Sequence, residues 1–229
     1  MIDKNPNYKE LYEEVCKLYD KTKHFKHGPW DETYFTLRVF ESAKDIMNKL
    51  KEKNFDKETI LVAAILHDIG KIKVDMESVI DYSTSDCFDK PEFSREWRKH
   101  PILGVPLAKK IMRKFGYSEK FIEKVCCLVK NHANRKKDFI PSLNLQILQD
   151  ADIIADCGYA GFIRPFLFGG KFSYANVIGS IKYIQKEKHR VEKKGFLNLD
   201  VSKEIAEKKM KLQKRLIKEI SKEIKSELL

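Results

Sequence analysis

Ile65-Leu66-His67-Asp68-Ile69-Gly70-Lys71 closes a run, Ile60 to Leu66, that is apolar on every side. A helix that is apolar all round belongs in a core, so the run reads as a buried helix ending where Gly70 supplies a left-handed cap. An imidazole and a carboxylate then stand side by side where water is scarce. Neither group tolerates that position without a partner, and a metal ion suits both at once. The dipeptide alone is weak evidence. Its weight depends on further ligands elsewhere in the chain.

On the N-terminal side, Asn54-Phe55-Asp56 reads as a turn, with Asp56 as the N-cap of the buried helix. Before it, Phe35, Val39, Ala43, Met47 and Leu50 form one helical stripe, and Tyr8, Leu11, Tyr12, Val15 and Tyr19 form another after Asn5-Pro6. On the C-terminal side, periodicity fades between Val74 and Trp97, which predicts a long loop of the kind that often serves as a lid. Pro101 opens a helix ending near Gly116, and Ser118 caps one that runs to about His132. A further buried helix runs from Ser142 to about Cys157. Gly169-Gly170 reads as a break before a helix over 173–188. The last helix, about Val201 to Leu229, carries Ile205, Leu212, Leu216, Ile220 and Ile224 on one face. No segment has period-two alternation and nothing repeats, so the expected fold is all-α.

The 229 residues suffice for one well-packed core and are short for two. The expected organisation is a helical domain over 1–199 followed by a C-terminal amphipathic helix over 200–229, packed on its own domain or on a partner, with a homodimer as the second choice. No stretch of about 18 apolar residues occurs and Met1 to Glu10 is polar, so neither a membrane span nor a secretory signal is expected, and the location is expected to be cytoplasmic. Five cysteines, an odd number without CxxC spacing, argue against a disulfide framework or a zinc ribbon. The net charge of +11 favours polyanionic or phosphorylated partners. From Ile181 to Leu229 there are 15 Lys/Arg against 8 Asp/Glu. The solvated face of a lysine-rich helix explains this better than nucleic-acid binding does.

Three more polar groups fall on apolar helix faces. The stripe Phe121, Val125, Leu128, Val129 puts His132 on the inward side, and the set Leu145, Leu148, Asp152, Ala155 puts a carboxylate in line with leucines, with Asp150 beside it. A buried carboxylate needs a cation or several donors. His100 stands at a helix N-terminus just after the long loop. Each alone reads as a satisfied core or surface residue. Together with His67-Asp68 in a helical chain they point to a metal site.

His67-Asp68-Ile-Gly-Lys71, His100-Pro-Ile-Leu-Gly104, Lys130-Asn-His132 and Gln149-Asp150-Ala-Asp152, in that order, resemble the HD-domain metal-dependent phosphohydrolase superfamily. The nearest likeness is to small stand-alone members in which a Gly-rich stretch such as Cys157-Gly-Tyr-Ala-Gly161 and Phe168-Gly-Gly170 follows. The likeness covers about 29–170. It implies His67, Asp68 and Asp152 as primary metal ligands, His100 and His132 as ligands of a second ion, and a metal-activated water that attacks phosphorus. Asp68 and Lys71 would be the catalytic residues. Lys71, with Arg38 and Arg135, would also contact substrate, Asn131 is a weaker candidate, and Asp150 would orient a histidine or a water. The family pattern also has a histidine three residues before an Arg-Val pair. Here Arg38-Val39 is present and that position is Phe35. His24, His27, Asp31 or Glu32 would have to replace the missing ligand.

The donor set suits Mn, Fe, Co, Ni or Zn, with Mg as a further option, as one ion or two. The expected function is phosphomonoester or phosphodiester hydrolysis on a small phosphorylated substrate such as a nucleotide. The alternative is a metal-poor, catalytically weak relative that binds a nucleotide or RNA through its basic surface. A third reading is an interaction module built on the last helix.

Overall fold

The computed structural model describes residues 7–21, 32–52, 54–74, 98–171, 180, 181, 184 and 196–224. The fold is all-α. Its helices are α1 (Tyr8–Tyr19), α2 (Glu32–Lys49), α3 (Lys57–Leu66), α4 (His100–Lys114), α5 (Glu119–Asn131), α6 (Leu143–Ala155), α7 (Tyr159–Lys171) and α8 (Asp200–Ile224), with a 3₁₀ turn, Ile69–Lys73, after α3. The loop expected over 75–97 and most of the helix expected over 173–188 lie outside the described residues, as do His24, His27 and Asp31.

The centre of the bundle is α3. Its residues from Thr59 to Leu66 are all buried, and α1, α2, α5 and α6 pack around it. Asp56 caps it by accepting from Thr59 N at 3.1 Å. Ser118 and Ser142 cap α5 and α6 in the same way, through Phe121 N and Leu145 N. Each cap satisfies one N–H that has no intrahelical partner.

Gly70 does not act as a left-handed cap, because the positive-φ glycines are Gly116 and Gly158. It lies in the 3₁₀ turn, where α4 crosses so closely that a Cβ would fall 1.9 Å from His100 O and 2.5 Å from Gly104 N. The missing side chain therefore serves contact between two backbones rather than chain reversal. Gly104 shares the crossing, and its Cβ would lie 3.2 Å from Gly70 N. This crossing draws the start of α4, and His100 with it, down onto the turn that carries Asp68.

Two further expectations are corrected. Gly169 and Gly170 do not break the chain, since α7 runs through them to Lys171. The buried face of α8 is Ser202, Ile205, Ala206, Met210, Gln213 and Ile217, while Leu212 is exposed. Gln213 turns inward because its side-chain amide donates to Gly158 O at 3.0 Å. That bond lets a polar residue take a buried position that hydropathy alone gives to leucine. The helix packs on α6, α7 and α2. No helix among the described residues is long and apolar enough to cross a membrane.

Candidate metal centre

Two histidines close helices by the same device. At the end of α3, His67 Nδ1 lies 2.9 Å from Ala64 O, and at the end of α5, His132 Nδ1 lies 2.7 Å from Val129 O. Carbonyls in the last helical turn have no intrahelical partner. Each imidazole supplies a donor from Nδ1, which fixes the tautomer and leaves the Nε2 lone pair facing inward. His100 comes in from the N-terminus of α4, and Asp152 from the third turn of α6.

These groups converge on Asp68. Its Oδ1 is 3.1 Å from His100 Nε2 and 3.5 Å from His132 Nε2, and the two imidazole nitrogens are 3.1 Å apart. On the other side, Asp68 Oδ2 lies 3.0 Å from His67 Nε2, which is 3.6 Å from Asp152 Oδ1. Asp68 with His100 and His132, and Asp68 with His67 and Asp152, form two sets of donors spaced to hold an ion. His67, Asp68, His100 and His132 are at most 4% exposed. Asp152 is the open member, with 28% of its side chain exposed.

Buried lone pairs aimed at one another repel unless a cation lies between them. His67 Nε2 has no hydrogen-bond partner among the described residues. The donor chemistry and this orphaned nitrogen fit a divalent transition ion. The set with His67 and Asp152 can also be closed by one proton on His67 Nε2, because both of its neighbours are carboxylates. Burial opposes charge on His67, but Asp68 and Asp152 outweigh it and raise the pKa to about 10 in the metal-free chain. In the set with His100 and His132 two imidazole nitrogens face one oxygen, and any proton placed on one nitrogen leaves another acceptor pair opposed. Burial lowers the pKa of His100 and so favours its neutral, ligating form.

The Oδ2 side carries a second layer of charge. Lys71 Nζ is 2.5 Å from Asp68 Oδ2 and 3.0 Å from Glu32 Oε2, and Glu32 is 1% exposed. Burial works against the lysine cation, but Asp68 and Glu32 outweigh it and raise the pKa. Arg164 on α7 is 5% exposed and pairs with Asp156 and, at 3.7 Å, with Glu32. Phe35 lies among them, its ring 6.0 Å from that of His67. Arg164, Lys71 and Arg38 approach its centroid at 4.2, 5.3 and 5.4 Å. Where a nitrogen ligand was expected, the chain has an aromatic platform for three cations.

Glu32 therefore pairs with Lys71 and Arg164. Arg164 was missed in the sequence, where the signal is a lone arginine between Phe162 and Phe166. Arg38 donates from Nε to Ala155 O at 3.1 Å, and its Nη2 is buried without a partner among the described residues. Two of the residues named from the sequence meet backbone groups. Arg135 spends its guanidinium on Phe196 O and Gln149 O, at 3.1 and 3.0 Å. Asp150 accepts from Asn198 N and Leu199 N, each at 2.9 Å, which ties segment 196–200 to α6. Asn131 turns its amide back to Cys127 O. Gln149 donates to Asn131 O and Asn134 O, bracing the turn that carries His132.

A helical bundle with a histidine and aspartate centre on its middle helix defines the class: an all-α protein built around a candidate divalent-metal site. The HD domain family model matches residues 36–156, and the chain belongs to the HD domain family. The fold is shared with a predicted HD superfamily hydrolase from an uncultured Thermotogales bacterium, at 18% identity and a TM-score of 0.58, covering 97% of this chain and 95% of that one. It is also shared with Bacillus subtilis YpgQ in complex with ADP, at 19% identity and a TM-score of 0.61, covering 95% and 94%. An HD-superfamily hydrolase from Bacillus thuringiensis matches at 17% identity and a TM-score of 0.58, covering 94% and 95%. No curated protein matches the chain.

Proposed function

We propose that this protein is a metal-dependent phosphohydrolase acting on a phosphomonoester or phosphodiester, with a nucleotide as substrate. The observation that carries the reading is the pair of donor sets sharing the buried carboxylate of Asp68. The ADP complex of YpgQ supports the nucleotide assignment by analogy of fold.

A divalent ion held on Asp68 by one or both of its donor sets would supply Lewis acidity toward phosphoryl oxygens and make water a better nucleophile. The chain's own groups do the rest. Asp68 holds both donor sets in register, because each of its oxygens serves one side. Asp152, the exposed member, marks the side from which substrate enters. Lys71 is kept charged by Asp68 and Glu32 and offers an N–H to a phosphoryl oxygen. The unpartnered Nη2 of Arg38 is a second donor on the same flank. Buried cations in a water-poor site stabilise developing phosphoryl charge more strongly than exposed ones.

The test is phosphate release from nucleoside mono-, di- and triphosphates with added Mn, Co, Ni or Mg, on the intact chain. The expected result is release that EDTA abolishes and that Asp68→Asn removes. Release unchanged by chelation, or none with any ion, overturns the reading. In the second case the basic surface becomes the functional feature to probe.

A further inference from the structure

The two donor sets around Asp68 are not equivalent, and the asymmetry lies in named contacts. On the Oδ1 side, the separations of 3.1, 3.1 and 3.5 Å among Asp68, His100 and His132 resemble the edges of a single coordination sphere. Bonds of about 2.1 Å place neighbouring ligands about 3.0–3.4 Å apart. All three residues are buried, and a single proton on either imidazole nitrogen leaves one pair of acceptors opposed.

On the Oδ2 side the place next to the carboxylate is already taken. Lys71 Nζ lies 2.5 Å from Oδ2, closer than His67 Nε2 at 3.0 Å. Behind Lys71, the Phe35 ring gathers Arg164 and Arg38 as well, three cations within 5.4 Å of one centroid. Their carboxylate partners are Glu32, which meets Lys71 and Arg164, and Asp156, which meets Arg164. The flank thus brings three cations to a place where the carboxylates besides Asp68 are Glu32, Asp156 and Asp152 among the described residues. A dication added there would share Asp68 Oδ2 with an ammonium and face two guanidiniums. Phe35 offers it no lone pair.

We infer that the chain holds one divalent ion, on Asp68, His100 and His132, and that the opposite flank carries its positive charge in protein groups, Lys71 and Arg164 seated on Phe35. This rests on the metal reading proposed above and specifies which half of the centre is loaded. Two imidazoles and one carboxylate form a donor set suited to Co, Ni, Zn, Mn or Fe and poorly suited to Mg. The flank on Phe35 then acts as a built-in counter-charge for the phosphoryl group.

Cobalt(II) alone is the probe. The metal-free intact chain is titrated while visible absorption is followed, and bound metal is counted by elemental analysis, neither of which needs turnover. The expected result is one ion per chain, with affinity falling about tenfold or more in His132→Gln and changing little in Asp152→Asn. A thermal melt of each variant checks that the fold persists, and His100→Gln serves as the second variant if His132→Gln does not fold. Two ions of similar affinity, or one ion that Asp152→Asn releases and His132→Gln retains, overturns the inference and leaves the phosphohydrolase reading standing. No bound ion at all overturns both.

Discussion

The two oxygens of Asp68 meet different surroundings. Oδ1 faces two imidazoles whose elements are fixed by backbone: His132 by Val129 O at the end of α5, and His100 by the crossing of α4 over Gly70. Oδ2 faces a layer of charge: Lys71, Glu32, Arg164 and Asp156 around Phe35. The first side presents two imidazole nitrogens, and the second presents ammonium and guanidinium groups beside the imidazole of His67. One carboxylate thus separates a place that calls for a cation from a place already supplied with them. Because Coulomb energies are large in a buried site, such a division is set by a few side chains rather than by the fold.

Asp68→Asn should have the largest effect, because it weakens both sides together. The expected outcome is loss of bound transition metal and of phosphate release, read by elemental analysis and a phosphate assay. Retained metal would mean that the other donors hold an ion without the bridge.

Arg164→Met removes one of the three cations, and from the charged side alone. Breaking a buried ion pair costs about 3–5 kcal/mol, and here it strips a partner from Glu32. The expected outcome is a loss of about that size in denaturant unfolding, with the metal count unchanged. Loss of metal would show that the two sides are not separable.

Gly70→Ala strikes the other side through the backbone. Its Cβ would meet His100 O, so α4 must shift. Overpacking of this kind costs about 3 kcal/mol, or a fall of about 6–12 °C in Tm for a chain of this size. Metal affinity should fall with it, because His100 moves. Gly104→Ala, with its nearest contact at 3.2 Å, should be milder in both readouts.

Phe35→His should have the smallest effect on the ion held at Oδ1 and makes the comparison sharper. It replaces the platform ring with a possible ligand 6.0 Å from His67. The expected outcome is weak uptake of a second ion, visible as a second phase in a cobalt titration. No second phase would mean that the cations around position 35, rather than the missing nitrogen, exclude the ion.

Much of this was legible in the sequence because the signals are local. The all-apolar run before His67, the caps at Asp56 and Ser118, and the polar residues set in leucine stripes each need only a few neighbours in the chain. What was misread depends on distant partners. Gly70 looked like a helix cap, and only the approach of α4 shows what its missing side chain is for. Asp150 looked like part of the centre because it stands two residues from Asp152, yet two steps along a helix turn about 200°, and Asp150 reaches Asn198 instead. Arg164 lies 132 residues from Glu32 in the chain, and no periodicity connects them. The buried face of α8 was misjudged because Gln213 is satisfied by carbonyls at the end of α6 and the start of α7.

The most direct measurement is elemental analysis of the purified intact protein, repeated after metal removal and reloading with cobalt. One transition-metal ion per chain is the expected result, and it would establish the histidine and aspartate cluster as a metal centre. A chain that takes up no ion after reloading would contradict it, leaving the buried lone pairs of His67 and His132 to be reconciled by protons alone.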